Sequence, residues 1–252
     1  MFQFSRGRRS VGTFVKTASP HVVEVLGLAG LDFVVLDGEH APFGRDSADL
    51  MLLAGRAARI PVLVRVPDHA PASISSMLDM GAAGVVVPHV DSAAQAAAAV
   101  ASARFTGGMR GFSPSPRFGD YGTMSREKVI AAGDASLVVC QIESVAGLEQ
   151  VEAIARVPGV SALFIGRADL SMSLRVDSGR HPVVMAAVAR ICAACAAAGV
   201  PVVIALESEV EIAQFAALGM HGFVVGTDQS LLRRAAAALR PELERQPAIH
   251  ST

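Results

Sequence analysis

The feature that most narrows what this chain can fold into is a strand-length apolar run that stops abruptly at polar residues and then recurs. Its fullest form is Phe33-Val34-Val35-Leu36-Asp37-Gly38-Glu39-His40. A short, unbroken apolar run fits a strand covered on both faces, as in a parallel sheet, and the polar cluster then lies at its C-terminal end. In α/β barrels and open α/β sheets that end is where ligands bind. The pattern returns at Val62-Leu63-Val64-Arg65, at Leu137-Val138-Val139-Cys140-Gln141-Ile142-Glu143 and at Leu163-Phe164-Ile165-Gly166-Arg167-Ala168-Asp169. These runs bring His40, Arg65, Glu143 and Asp169 to one candidate rim.

Strand-like runs at 11–16, 33–37, 61–66, 84–88, 137–142, 161–165, 201–206 and 222–225 alternate with helical patterns. The helical patterns include 46–58, 72–80, 92–103, 145–156, 183–198, 208–218 and 228–240. Regular alternation of this kind predicts an α/β (β/α)₈ TIM barrel. A doubly wound open sheet is the alternative, but Gly166-Arg167-Ala168 lacks the glycine spacing of a dinucleotide fingerprint. With 252 residues, 52% of them hydrophobic, and no Pro/Gly/Ser-rich linker, residues 1–252 read as a single domain. Residues 1–10 are expected to fray. Residues 104–133 break the pattern with glycines, prolines and scattered aromatics, and read as a lid, a subunit contact or an ordered surface loop.

The formal net charge is −1 and the pI about 6.7, so there is no electrostatic footprint for nucleic acid or an anionic membrane. No apolar stretch reaches the roughly 18 residues of a membrane span. A soluble, cytoplasmic protein is expected. The three cysteines do not make a disulfide framework. Cys192 and Cys195 read as small buried side chains of an alanine-rich helix.

The chemistry then rests on few residues. Glu143 and Asp169 end consecutive strands, and two carboxylates converging there suit an octahedral oxygen site for Mg²⁺ or a similar ion. A general acid/base pair, or ion pairing with Arg65, is the other use of such residues. His40, directly after a strand and beside acids, reads as a general base. Arg65 places a cation at the rim, able to neutralise charge on a substrate oxygen or to make a structural ion pair. His89 follows Pro88 at the end of the fourth strand, where it either lines the pocket or, the favoured reading, packs. Asp79 sits within a helical pattern before Gly81, and its spacing assigns it no role. Lys16 ends the first strand and is the lysine to consider for Schiff-base chemistry, which the carboxylate pair disfavours.

Asp37-Gly38-Glu39-His40, Val64-Arg65-Val66-Pro67, Leu78-Asp79-Met80-Gly81, Arg110-Gly111, Gln141-Ile142-Glu143 and Ile165-Gly166-Arg167-Ala168-Asp169-Leu170-Ser171 resemble, in order and spacing, the HpcH/HpaI aldolase/citrate lyase family from about Gly12 to Ala238. The resemblance implies a divalent-metal (class II) aldolase that cleaves a 4-hydroxy-2-oxo acid to pyruvate and an aldehyde through a metal-bound pyruvate enolate. Glu143 and Asp169 would hold the metal, Mg²⁺ first, with Mn²⁺ or Co²⁺ as alternatives. Arg65 would bind substrate and stabilise the enolate oxygen, and His40, oriented by Asp79, would move the proton. Gln141 would help fix the site, and the backbone of Gly166 and Ala168 would receive the substrate carboxylate. The resemblance also implies a homo-oligomer, a hexamer or trimer, with the last helix exchanged between subunits in many members. Relatives that decarboxylate oxaloacetate or condense it with an acyl-CoA supply the alternative activity. Arg167 stands where several of the family's aldolases have proline, and Arg175 where many have glycine, so the resemblance does not extend to the aldehyde and leaves room for an additional carboxylate or phosphate contact.

Overall fold

The computed structural model describes residues 2–5 and 7–239. Its first half runs β1 (Ser10–Val15), α1 (Pro20–Leu28), β2 (Phe33–Asp37), α2 (Arg45–Ala58), β3 (Val62–Arg65), α3 (Pro71–Asp79), β4 (Gly84–Val87) and α4 (Ala93–Ala103). The second half runs α5 (Arg126–Asp134), β5 (Leu137–Ile142), α6 (Val145–Glu149), α7 (Val151–Ala155), β6 (Ala162–Ile165), α8 (Arg167–Ser173), α9 (Pro182–Ala198), β7 (Val202–Leu206), α10 (Ile212–Ala217), β8 (Gly222–Thr227) and α11 (Asp228–Ala238). The strands pair in parallel in chain order and close into a barrel, as the alternation predicts. The pattern read as one helix over 145–156 divides into α6 and α7. The end of the helix expected over 228–240 lies outside the described residues.

Side chains alternate across each strand, so a closed barrel sorts every strand into two sets. The outward set, including Val34, Leu36, Val62, Val64, Val138 and Cys140, packs with the helices in one large core. The inward set, Phe14, Phe33, Val35, Leu63, Val86, Leu137, Val139, Phe164 and Val203 among them, fills the barrel. Following the inward set upward explains the site. Phe33 and Val35 lead to Asp37, Leu63 leads to Arg65, Leu137 and Val139 lead to Gln141, and Phe164 leads to Gly166. The β2/β3 register sets Asp37 directly beside Arg65, and the β5/β6 register pairs Ile142 with Ile165, one residue below Glu143 and Gly166.

The lower mouth is closed where fraying was expected. Phe4 is buried, and the rings of Phe2 and Phe4 lie 5.3 and 5.2 Å from that of Phe33. A Cβ at Gly222 would approach Phe4 to 2.9 Å, so glycine makes room for the plug. Apolar burial outweighs the entropy that would loosen the terminus. At the top, the backbone N–H groups of Lys16 and Thr17 donate to the Asp228 carboxylate at 2.8 and 3.1 Å, tying the start of α11 to the end of β1.

Residues 104–133 connect a descending helix to an ascending strand, which puts them at the lower mouth. They hold a 3₁₀ turn, Arg117–Gly122, and α5. Arg110 is buried there between Phe105 and Phe118, 4.5 and 4.7 Å from the ring centroids. It donates through Nε and Nη2 to Asp79 Oδ1 at 3.2 and 2.7 Å. A lid over the site in the same chain is therefore ruled out, because this segment is at the other end of the barrel.

Candidate active site

The upper rim gathers ions of both signs. Asp37 is fully buried. Its Oδ1 accepts from Arg65 Nε and Nη2 at 3.0 and 2.8 Å and from the backbone N–H of His40 at 3.0 Å, while Lys16 Nζ lies 2.9 Å from Oδ2. Burial alone would raise the Asp37 pKa, but Arg65, the His40 N–H and Lys16 together hold it below the usual carboxylate value. Lys16 is thus engaged as a counter-ion at the rim. Arg65 also reaches Glu39, Nη1 to Oε2 at 3.2 Å, and stacks on Phe14 at 4.8 Å. Its guanidinium is held in place from three sides.

Glu143 is the buried acid of the pair, 2% exposed. Its Oε1 accepts from the His89 backbone N–H at 2.7 Å, and Gln141 Nε2 donates to Oε2. Burial pushes the Glu143 carboxyl above its ordinary value, against the pull of His89 and Gln141, and nearby Glu39 pushes the same way. Gln141 Oε1 is buried without a partner. A Cβ at Gly166 would lie 2.7 Å from Glu143 Oε2, so the glycine leaves one face of the acid open. Asp169 follows from the neighbouring strand in the first turn of α8, and is exposed.

His89, read from sequence as a packing residue, belongs to this cluster. Its ring spans two acids, Nε2 to Glu39 Oε1 and Nδ1 to Glu143 Oε1, both at 3.1 Å. Its φ of +49° is rare for a side-chain-bearing residue. The left-handed turn just after β4 aims the ring across the mouth, which a reading based on alternation cannot anticipate. The Pro88-His89 pair after a strand was the available signal.

His40 is exposed, with Nε2 3.8 Å from Glu39 Oε2. Within one chain Asp79 does not reach it. α3 descends from the rim after β3, so Asp79, at its last turn, lies at the lower mouth with Arg110. The resemblance implies both at one site, and in a single chain the strand end that carries His40 and the helix end that carries Asp79 face opposite ways.

Glu143 and Asp169 are hard oxygen donors and suit a divalent ion. The open face left by Gly166 and the orphaned Gln141 oxygen agree with a polar occupant there. Among the described residues no group of three or more His, Cys, Asp or Glu is placed to hold a metal. Mg²⁺ is commonly held by one or two carboxylates, with substrate and water completing its shell.

A closed parallel barrel with a buried acid, a fixed arginine and a histidine at its C-terminal mouth is the arrangement of a (β/α)₈ enzyme. The signature of the HpcH/HpaI aldolase/citrate lyase family matches residues 10–235, and the chain belongs to that family. It is an enzyme, a carbon–carbon lyase of the aldolase type. The chain is 37% identical over 231 residues to the 5-keto-4-deoxy-D-glucarate aldolase of Klebsiella pneumoniae subsp. pneumoniae, covering 91% of this chain and 90% of that one. A HpcH/HpaI aldolase/citrate lyase family protein from Burkholderia cenocepacia J2315 superposes with a TM-score of 0.89 at 34% identity, covering 94% and 95% of the two chains. The citrate synthase SbnG superposes with a TM-score of 0.86 at 28% identity, covering 95% of each. No helix among the described residues is long and apolar enough to cross a membrane.

Proposed function

We propose that this enzyme cleaves a 4-hydroxy-2-oxo acid to pyruvate and an aldehyde with the help of a divalent cation, Mg²⁺ first. The observation that carries the reading is Glu143, a buried acid with one face left open by Gly166, on the same rim as the fixed cation Arg65. In the cleavage a base takes the C4 hydroxyl proton, the C3–C4 bond breaks, and C4 leaves as the aldehyde carbonyl. The electron pair of the broken bond passes into an enolate, which is protonated at C3 to give pyruvate.

Glu143 and Asp169 would hold the cation, which when bound supplies Lewis acidity toward the 2-oxo group. Arg65 neutralises charge developing on the C2 oxygen, and its ties to Asp37, Glu39 and Phe14 prevent it from reorienting during the reaction. His40, exposed at the rim, is the base that moves the proton. Gln141 fixes Glu143, and Gly166 and Ala168, at the start of α8, receive the substrate carboxylate.

A homo-oligomer is part of this reading, supported by exposed Met109 and Tyr121 at the lower mouth and Leu232 and Leu239 on and after α11. In it, orientation of His40 by Asp79 would require the carboxylate of a second copy. Likeness to the citrate synthase supports a second reading, condensation of oxaloacetate with an acyl-CoA.

Deuterium exchange into the pyruvate methyl group, followed by NMR, tests the core of the proposal. Exchange should need added Mg²⁺ or Mn²⁺ and fall about 10³-fold or more in Glu143→Ala and Asp169→Ala. Equal exchange by chelator-stripped and replenished enzyme would overturn it. CoA release from acetyl-CoA and oxaloacetate, without cleavage of hydroxy-oxo acids, would select the second reading.

A further inference from the structure

The proposed centre has two halves on different strands. The acid for the cation, Glu143, follows β5, and the guanidinium for the developing oxyanion, Arg65, ends β3. One side chain joins them. His89, just past β4, sets Nδ1 3.1 Å from Glu143 Oε1 and Nε2 3.1 Å from Glu39 Oε1. Glu39 carries the connection on through Oε2 to Arg65 Nη1 at 3.2 Å. The line from Glu143 through His89 and Glu39 to Arg65 therefore draws on the upper ends of four consecutive strands, β2 to β5.

His89 is held there at a conformational cost that the turn alone does not require. Its φ of +49° is a conformation glycine adopts freely and a side chain resists. A glycine would make the same turn and keep the backbone N–H that donates to Glu143 Oε1 at 2.7 Å, so the strain is accepted for the ring. Apolar burial does not explain the ring either, because the His89 side chain is 57% exposed, against 10% for Glu39 and 1% for Glu143. What it meets is two acids. Standing between them, it separates carboxylates that would repel across the mouth. It also divides the oxygens of Glu143 by task. Oε1 is engaged by the N–H and the ring of His89, and Oε2 is left on the side that Gly166 keeps open, 2.7 Å from where a Cβ would stand. Glu39, engaged by His89 at one oxygen and by Arg65 at the other, is kept from turning toward that face.

Resting on the divalent-cation reading, we infer that His89 is a positioning residue whose ring presents Glu143 Oε2 to the cation and, through Glu39, steadies Arg65. One side chain then sets both the proposed metal ligand and the group that neutralises the C2 oxygen. Groups that orient a metal ligand typically change affinity or activity about 10–100-fold when removed.

Titration with Mn²⁺ in a calorimeter, without substrate, reads the first half of the claim. His89→Gly keeps the turn and the N–H and loses only the ring. It should bind Mn²⁺ about tenfold or more weakly than wild type, with a denaturant midpoint close to wild type. His89→Asn, which also tolerates a left-handed turn but cannot span both acids, should match it in Mn²⁺ affinity. Because the His89 side chain is more than half exposed, added imidazole can enter the space left in His89→Gly, and it should restore most of the affinity. The second half is read at saturating Mn²⁺, where deuterium exchange into pyruvate should still be about tenfold slower in His89→Gly and should recover with imidazole. Mn²⁺ affinity that is unchanged in His89→Gly, or lowered and not recovered by imidazole, overturns the role of the ring. A wild-type exchange rate in that variant at saturating Mn²⁺ overturns the link to Arg65. A wild-type protein that takes up no Mn²⁺ overturns instead the cation reading beneath it.

Discussion

Two buried arginines make the same contacts at opposite ends of the barrel. Arg65 at the upper mouth and Arg110 at the lower each donate through Nε and Nη2 to one oxygen of an aspartate, and each lies on an aromatic ring. Locally the motifs are alike; their neighbours differ. Around Arg110 stand the rings of Phe105 and Phe118, and its Nη1 is buried without a partner. Around Arg65 stand Glu39 and, through His89, Glu143, an acid whose carboxyl burial holds above its ordinary value. An arginine–aspartate pair on a ring is a way to bury a cation, and the function it serves is set by which mouth it occupies.

Exchanging each arginine for methionine gives the largest expected separation. Arg65→Met should lower pyruvate deuterium exchange about 10²–10³-fold. Arg110→Met should lose about 1–3 kcal/mol of stability in denaturant unfolding, since it leaves the half-buried Asp79 carboxylate without its partner, while its folded fraction still exchanges. Loss of exchange in both, with equal loss of stability, would erase the distinction between the mouths.

Inward glycines at the two ends sharpen it. A Cβ at Gly166 would press within 2.7 Å of Glu143 Oε2, and one at Gly84 within 2.4 Å of Leu137 Cβ. Gly166→Ala should weaken Mn²⁺ binding about tenfold or more by calorimetry, because it displaces a proposed ligand and the group that orients it. Gly84→Ala should cost about 1–3 kcal/mol through overpacking and leave metal affinity intact. Equal Mn²⁺ affinity in Gly166→Ala and wild type would remove that face of Glu143 from the site.

The smallest effect is on acid stability. The folded pKa of Asp37 is depressed below its unfolded value of 3.8. It therefore contributes stability that is present above that value and lost as pH falls through the folded pKa. The decline in unfolding free energy between about pH 5 and 3 should be shallower in Asp37→Asn than in wild type. An identical slope in the two proteins would mean that the rim charges are balanced without Asp37.

Much of this is legible in the sequence. The eight apolar runs and their helices determined a (β/α)₈ barrel, and the residues that follow those runs put His40, Arg65, Glu143 and Asp169 at one rim. Both follow from periods of two and 3.6 residues, which are properties of the local backbone. The partners were decided by the tertiary structure. Alternation stops where strands end, so it does not reveal that a left-handed backbone turns His89 between two acids, or that a descending helix carries Asp79 to the mouth opposite His40 of the same chain. The N-terminal plug likewise joins residues distant in the chain. Contacts across a closed barrel depend on where each connection reverses direction, and that has no signature in any single stretch of sequence.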